Sequence, residues 1–284
     1  MKTKYFLSVL FTITLFNFFG FISAQTLNVD SKDGVKVAYL TKGEGETVLV
    51  FVHGWSCDKS YWENQLDEFA KSYKVIAVDL AGHGESGLNR EDYTMEKFGE
   101  DVAAVVNQLK LNKVILIGHS MGGAVIVEAA KLLKGKTIGL VGVDTYQSFE
   151  DDWTKEQKEG ILKPFTENFA VAAKGFVKSM FPKTADSLLV EKIANDMSSA
   201  PPQVAVSAMR NLFFYDLIPV WKKVNLPLVS INCDLYPVST EMNKKYVNDY
   251  DVKIMKGVGH FIQLENPAEF NKLLHEAVTQ LTQK

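Results

Sequence analysis

Val114-Ile-Leu-Ile-Gly118-His-Ser120-Met-Gly122-Gly-Ala-Val-Ile-Val127 passes without a break from an apolar β-type run into a helix-type run. Gly118-His-Ser-Met-Gly122 fills the turn between them. A G-x-S-x-G pentapeptide has meaning in this strand, tight turn, helix setting, because the serine is held in a strained backbone conformation that only small flanking residues tolerate. The turn exposes Ser120 Oγ at the strand end, which makes Ser120 the candidate nucleophile. It also points the Met121 N–H at the same place and adds the positive end of the helix dipole, both useful where an oxyanion develops.

Upstream, Thr47-Val-Leu-Val-Phe-Val-His53 is almost wholly apolar, whereas the runs Thr26 to Val29 and Val35 to Thr41 alternate. Alternation followed by continuity predicts an antiparallel edge leading into a buried parallel sheet. His53-Gly54-Trp55 closes the buried run, and its glycine lets the backbone turn sharply so that the Trp55 N–H can face the serine as a second oxyanion donor. Helices at Tyr61 to Phe69, Met95 to Leu109 and Gly122 to Leu133 then alternate with strands at Lys74 to Val78, Lys113 to Ile117 and Thr137 to Val143. This is the βαβ rhythm of an open, helix-covered sheet, an α/β class fold.

The rhythm stops after Asp144. Residues 145–220 hold no convincing strand, only helical stretches punctuated by Pro164, Pro182 and Pro201-Pro202 and rich in Phe and Met, which predicts an inserted helical cap. Strands at Leu226 to Asn232 and Val252 to Met255 and a helix from about Pro267 to Leu281 complete the core, 25–144 and 221–284.

Of the five histidines, His53 and His119 sit inside turns already assigned and suit packing or hydrogen bonding. His83 belongs to the glycine-rich turn Asp79-Leu-Ala-Gly-His-Gly-Glu-Ser86, read as structural, and His275 lies within the last helix. His260 remains, in Gly257-Val-Gly-His-Phe261, where glycines let the imidazole reach across the sheet end. It is the candidate general base.

The composition is that of an ordinary globular chain: 284 residues, 46% hydrophobic and 23% charged. A formal net charge of -3 makes nucleic acid a poor partner. Two cysteines, Cys57 and Cys233, exclude a disulfide scaffold and any multi-cysteine zinc site. At the N-terminus, Lys2 and Lys4 precede an apolar run from Phe6 to Phe21 that ends in Ile22-Ser23-Ala24. The pattern reads as a cleaved signal peptide over residues 1–24, since the run falls short of the ~18 residues of a spanning helix. A secreted or periplasmic protein without a membrane span after cleavage is the expectation.

His53-Gly54-Trp55, Asp79-Leu-Ala-Gly-His-Gly-Glu-Ser86, Gly118-His-Ser-Met-Gly-Gly123 and Gly257-Val-Gly-His260, in that order and spacing, resemble the α/β-hydrolase superfamily in its cap-bearing, esterase-like branch. The resemblance covers the chain from Thr26 onward. It implies an eight-stranded sheet in the order 1-2-4-3-5-6-7-8, with Ser120 after strand five, a cap between strands six and seven, and His260 after strand eight. Strands three and seven are three spacings apart in that order, roughly 14 Å at ~4.8 Å per step, so Cys57 and Cys233 are expected as free thiols.

The triad acid departs from the family pattern. Such proteins commonly show Gly-x-x-Asp-Pro after strand seven, and this chain reads Cys233-Asp-Leu-Tyr-Pro237, with Tyr236 in the carboxylate's place. A neutral tyrosine cannot stabilise an imidazolium as a carboxylate does. Asp144, ending strand six, and Asp234, two residues before Tyr236, are the substitutes, with Asp144 slightly ahead. The expectation is a serine hydrolase acting on an ester-type acyl bond of a small, apolar substrate without metal or organic cofactor. Its rivals are lactone or C–C bond hydrolysis and cofactor-free perhydrolysis on the same fold, and a ligand-binding protein with little turnover.

Overall fold

A computed structural model describes residues 26–283; the expected signal peptide lies outside the described residues. Eight strands form one sheet: β1 Leu27–Asp30, β2 Lys36–Lys42, β3 Val48–Val52, β4 Lys74–Val78, β5 Val114–His119, β6 Thr137–Val143, β7 Leu228–Cys233 and β8 Tyr250–Met255. Their order is β1-β2-β4-β3-β5-β6-β7-β8, as the resemblance implies. β2 pairs antiparallel with β1 and β4, and from β4 onward all pairs are parallel.

Parallel strands covered on both faces can be apolar at every position, and β3 (VLVFV) is buried throughout. Alternate side chains still part company. Val48, Val50 and Val52 join the apolar layer with α2 (Met95–Gln108) and α3 (Met121–Leu132), while Leu49 and Phe51 join the opposite layer with α1 (Glu63–Phe69) and the C-terminal helix Pro267–Thr282. A single turn of 3₁₀ helix, Lys59–Trp62, precedes α1 where the sequence suggests continuous α-helix from Tyr61. α2 buries Met95, Phe98, Val102, Val105 and Val106 along one face, and the Thr94 hydroxyl accepts the Lys97 N–H at its start.

Between β6 and β7 lie α4 Lys155–Glu167, α5 Phe169–Ser179, α6 Ser187–Ser198, α7 Pro202–Phe213 and α8 Leu217–Val224, and no strand. α8 carries the insertion four residues past the expected boundary at 220, because Trp221 is buried and the helix stops only at left-handed Asn225 (φ 46°). Pro164 sits inside α4 instead of ending it, whereas Pro202 opens α7, where its missing N–H costs nothing. Two short helices escape the sequence pattern: α9 Thr240–Lys244 and α10 Ile262–Glu265, the latter just before α11 Pro267–Thr282.

The insertion is fastened to segments that follow the carboxyl ends of strands. The Trp55 indole donates to the Ala205 carbonyl (2.7 Å), the Tyr61 hydroxyl to Asp196 (2.5 Å) and the Tyr93 N–H to Ser207 Oγ (3.0 Å). The segment Asp79 to Ser86 is held by Asp79, whose buried carboxylate accepts the Lys59 N–H, the Lys59 ammonium and the Glu85 N–H. No helix among the described residues is long and apolar enough to cross a membrane.

Candidate active site

The turn from β5 into α3 is tight. A Cβ on Gly118 would stand 2.3 Å from the Gly122 carbonyl oxygen, and one on Gly122 would stand 2.6 Å from that of Val52, so both positions admit glycine alone. Ser120 between them has φ 53° and ψ −118°, outside the regions an L-residue prefers, at a cost of about 1–3 kcal/mol. The turn is docked by Ser120 N–H donating to the Val143 carbonyl of β6 (3.0 Å) and by Gly123 N–H donating to the Ser120 carbonyl (2.8 Å). Met121 opens α3 and is fully buried, so its N–H has no intrahelical acceptor. Gly54 lies against the serine: a Cβ there would be 3.2 Å from Ser120 Cβ, which brings the Gly54-Trp55 backbone alongside.

His260 follows β8 in a loop entered through left-handed Gly257 (φ 72°). Its Nδ1 lies 2.5 Å from Asp144 Oδ2, so the structure brings these two together across the sheet end. The other Asp144 oxygen accepts the Cys233 N–H at 2.9 Å, and the Asp144 N–H donates to the Ile231 carbonyl at 2.8 Å. Asp144 is itself left-handed, φ 42°, a conformation aspartate tolerates better than most residues. Burial works to raise its pKa, but the hydrogen bond and charge of His260, with help from Cys233, hold the carboxyl below its ordinary value. Asp234 is exposed, and its Oδ1 accepts the Gly257 N–H at 3.0 Å. Tyr236 is 40% exposed.

The other histidines are occupied. His53 Nδ1–H donates to the Gly54 carbonyl (2.8 Å) and Nε2 accepts the Leu80 N–H (3.0 Å); burial lowers it to about 4. His83 donates to the Ala81 carbonyl and is lowered by burial to about 3. His275 stacks on Phe69 at 4.1 Å. His119, lowered to about 3 by burial and by His260, donates from Nε2 to the His260 carbonyl at 2.9 Å, with the two rings 4.7 Å apart. It ties the serine turn to the histidine loop, a link the sequence pattern does not carry.

Two hollows meet at Ser120. One, about 130 Å³, is lined by Trp55, Cys57, Ser120, His260 and the apolar side chains of Phe176, Met197 and Met209 among others. The second, about 950 Å³, opens toward Thr145, Ser148, Asp152, Trp153 and Tyr215. Trp55, which lines the smaller hollow, has Phe165, Phe169 and Phe176 edge-on to it at 5.6, 6.0 and 6.1 Å. Cys57 and Cys233 are both free and buried, and burial, then the Asp144 charge, pushes the Cys233 thiol up to about 12.

The chain is similar to a probable esterase from Oryza sativa subsp. japonica, 24% identical over 250 residues that cover 79% of this chain and 89% of that one. It is similar in like measure to the karrikin insensitive 2 receptor CA of Petunia hybrida, 23% identical over 245 residues, 79% and 89% of the two chains. Its fold matches that of an esterase from Exiguobacterium antarcticum with a TM-score of 0.81 at 21% identity, over 90% of this chain and all of the other. Residues 49–273, from within β3 through the serine turn, the inserted helices and the His260 loop into α11, match the family model, and the chain belongs to the alpha/beta hydrolase family.

Proposed function

We propose that the protein is a serine hydrolase that cleaves a small ester or related acyl bond through Ser120, His260 and Asp144. The observation that carries this reading is the 2.5 Å bond from His260 Nδ1 to a buried aspartate, with Ser120 and His260 lining one small cavity. Asp144 holds the Nδ1–H tautomer, which leaves Nε2 free to take the Ser120 proton as the oxygen attacks the carbonyl carbon. The N–H groups of Trp55 and Met121 receive the oxyanion. Protonated His260 then gives its proton to the leaving oxygen, and water attacks the acyl-enzyme by the same route in reverse.

The apolar hollow holds the small group. Its 130 Å³ equals about four water-sized volumes at ~30 Å³ each, room for a short acyl chain or a small ring. The inserted helices act as a cap, supplying Phe176, Met197 and Met209 to that wall. Residues 1–24 export the chain, and no resident metal or organic cofactor takes part.

The Petunia relative, named as a receptor, favours a second reading in which the same pocket binds a ligand and turns it over slowly. One experiment separates the two: fluorophosphonate labelling beside a panel of p-nitrophenyl esters of increasing chain length. Multiple turnovers on the short esters, with Ser120→Ala lowering kcat by on the order of 10⁶ and abolishing the label, support the hydrolase. Labelling of another serine, or a single turnover without recycling, overturns it.

A further inference from the structure

The backbone that carries His260 is held on both sides of the imidazole by one side chain. Glu265, the last residue of α10, accepts the Gly259 N–H on Oε2 at 2.8 Å and the Phe261 N–H on Oε1 at 3.1 Å. Between these two, the His260 N–H donates to the carbonyl of Met180, the residue that caps the C-terminus of α5 in the insertion, at 2.9 Å. The His260 carbonyl is taken by His119, as above. Three consecutive N–H groups are thereby bound, two of them by a single half-buried carboxylate. Hydrogen bonds to an ionised acceptor are about twice as strong as neutral ones.

We propose that Glu265 is a positioning residue for His260, a second carboxylate that acts on the histidine's backbone while Asp144 acts on its ring. The proposal rests on the reading of His260 as the base. Asp144 can fix the rotation of the imidazole, but the direction of the Cα–Cβ bond is set by the peptide groups on either side. The loop has reason to need this. It enters through left-handed Gly257 and passes Gly259, where a Cβ would stand 2.4 Å from the Met180 oxygen, so two glycines leave it little stiffness of its own. Burial raises the Glu265 carboxyl while the two backbone donors work against that rise, which marks the group as built into the loop and not a surface charge.

The test compares Glu265→Ala and Glu265→Gln in the full chain, by kcat and KM on p-nitrophenyl butyrate, thermal melting, and the downfield proton resonance of the His260–Asp144 hydrogen bond. Glu265→Ala should lower kcat by about 10- to 100-fold with KM within about twofold, since a displacement near 1 Å costs on this order. Glu265→Gln keeps one oxygen for one N–H and should fall between wild type and alanine. The resonance should shift or broaden in both. A folded variant with wild-type kcat and an unmoved resonance overturns the proposal, as does a loss confined to the melting temperature. The resonance is read without substrate, so it decides the role of Glu265 even if no ester is turned over and the hydrolase reading fails.

Discussion

At the end of β6, Asp144 is 1% exposed and left-handed, with one oxygen on the Cys233 N–H and the other on His260; at the end of β7, Asp234 is exposed and accepts the Gly257 N–H. The strands are neighbours in register, Val143 opposite Ile231, so a loop arriving from β8 passes both ends within about 4.8 Å of sheet width. Reach therefore does not separate the two carboxylates. Burial and the left-handed turn do: they set Asp144 against the imidazole and keep water from competing for it. Tyr236, where the family resemblance leads one to expect a carboxylate, stays within range of the same cluster, its pKa raised by burial, then by Cys233 and Asp144.

Asp144 should carry the greater loss. Asp144→Asn should lower kcat by ~10⁴ while leaving the serine turn intact, because asparagine favours the wrong histidine tautomer. A variant within tenfold of wild type would remove β6 from the reaction. Adding Tyr236→Asp to Asp144→Asn supplies a carboxylate after β7 in place of the one after β6. It should recover about 10- to 100-fold of the lost kcat, and no recovery would mean that the end of β7 does not reach the imidazole. Asp234→Asn should cost about tenfold or less, acting only through a looser Gly257 N–H. The smallest effect is on stability. The folded-state pKa of Asp144 lies below its ordinary ~3.9, so its ionisation contributes stability that is present above that value and is lost as pH falls through the folded pKa. The melting advantage of wild type over Asp144→Asn should be intact at pH 5 and shrink below about pH 4; an advantage unchanged down to pH 2 would assign it to shape alone.

Much of this arrangement is legible in the sequence, and the remainder is hidden for physical reasons. β4 and β6 have the expected ends, and the other strands of the parallel sheet shift by a residue or two, because strands buried on both faces are written as unbroken apolar runs. The Ser120 turn is readable because close packing demands glycine at fixed offsets. Asp144 and Asp234 cannot be ranked firmly from residue type, since both are carboxylates at strand ends; the left-handed φ at Asp144 separates them, and φ has no one-letter sign. The bonds from Met180 and Ala205 are made by carbonyl oxygens, which every residue owns. Glu265 looks like any glutamate on a short helix until the loop beside it is folded.

The Trp55 indole and the His260 N–H both end on carbonyls of the inserted helices, those of Ala205 and Met180. Anyone exchanging that insertion for another, to redirect the enzyme to a different molecule, inherits a constraint that no sequence alignment displays. The donor segment must deliver two backbone oxygens at those two places, whatever side chains it brings. A chimera that misses them would keep its pocket walls and lose the registration of the groups beside Ser120.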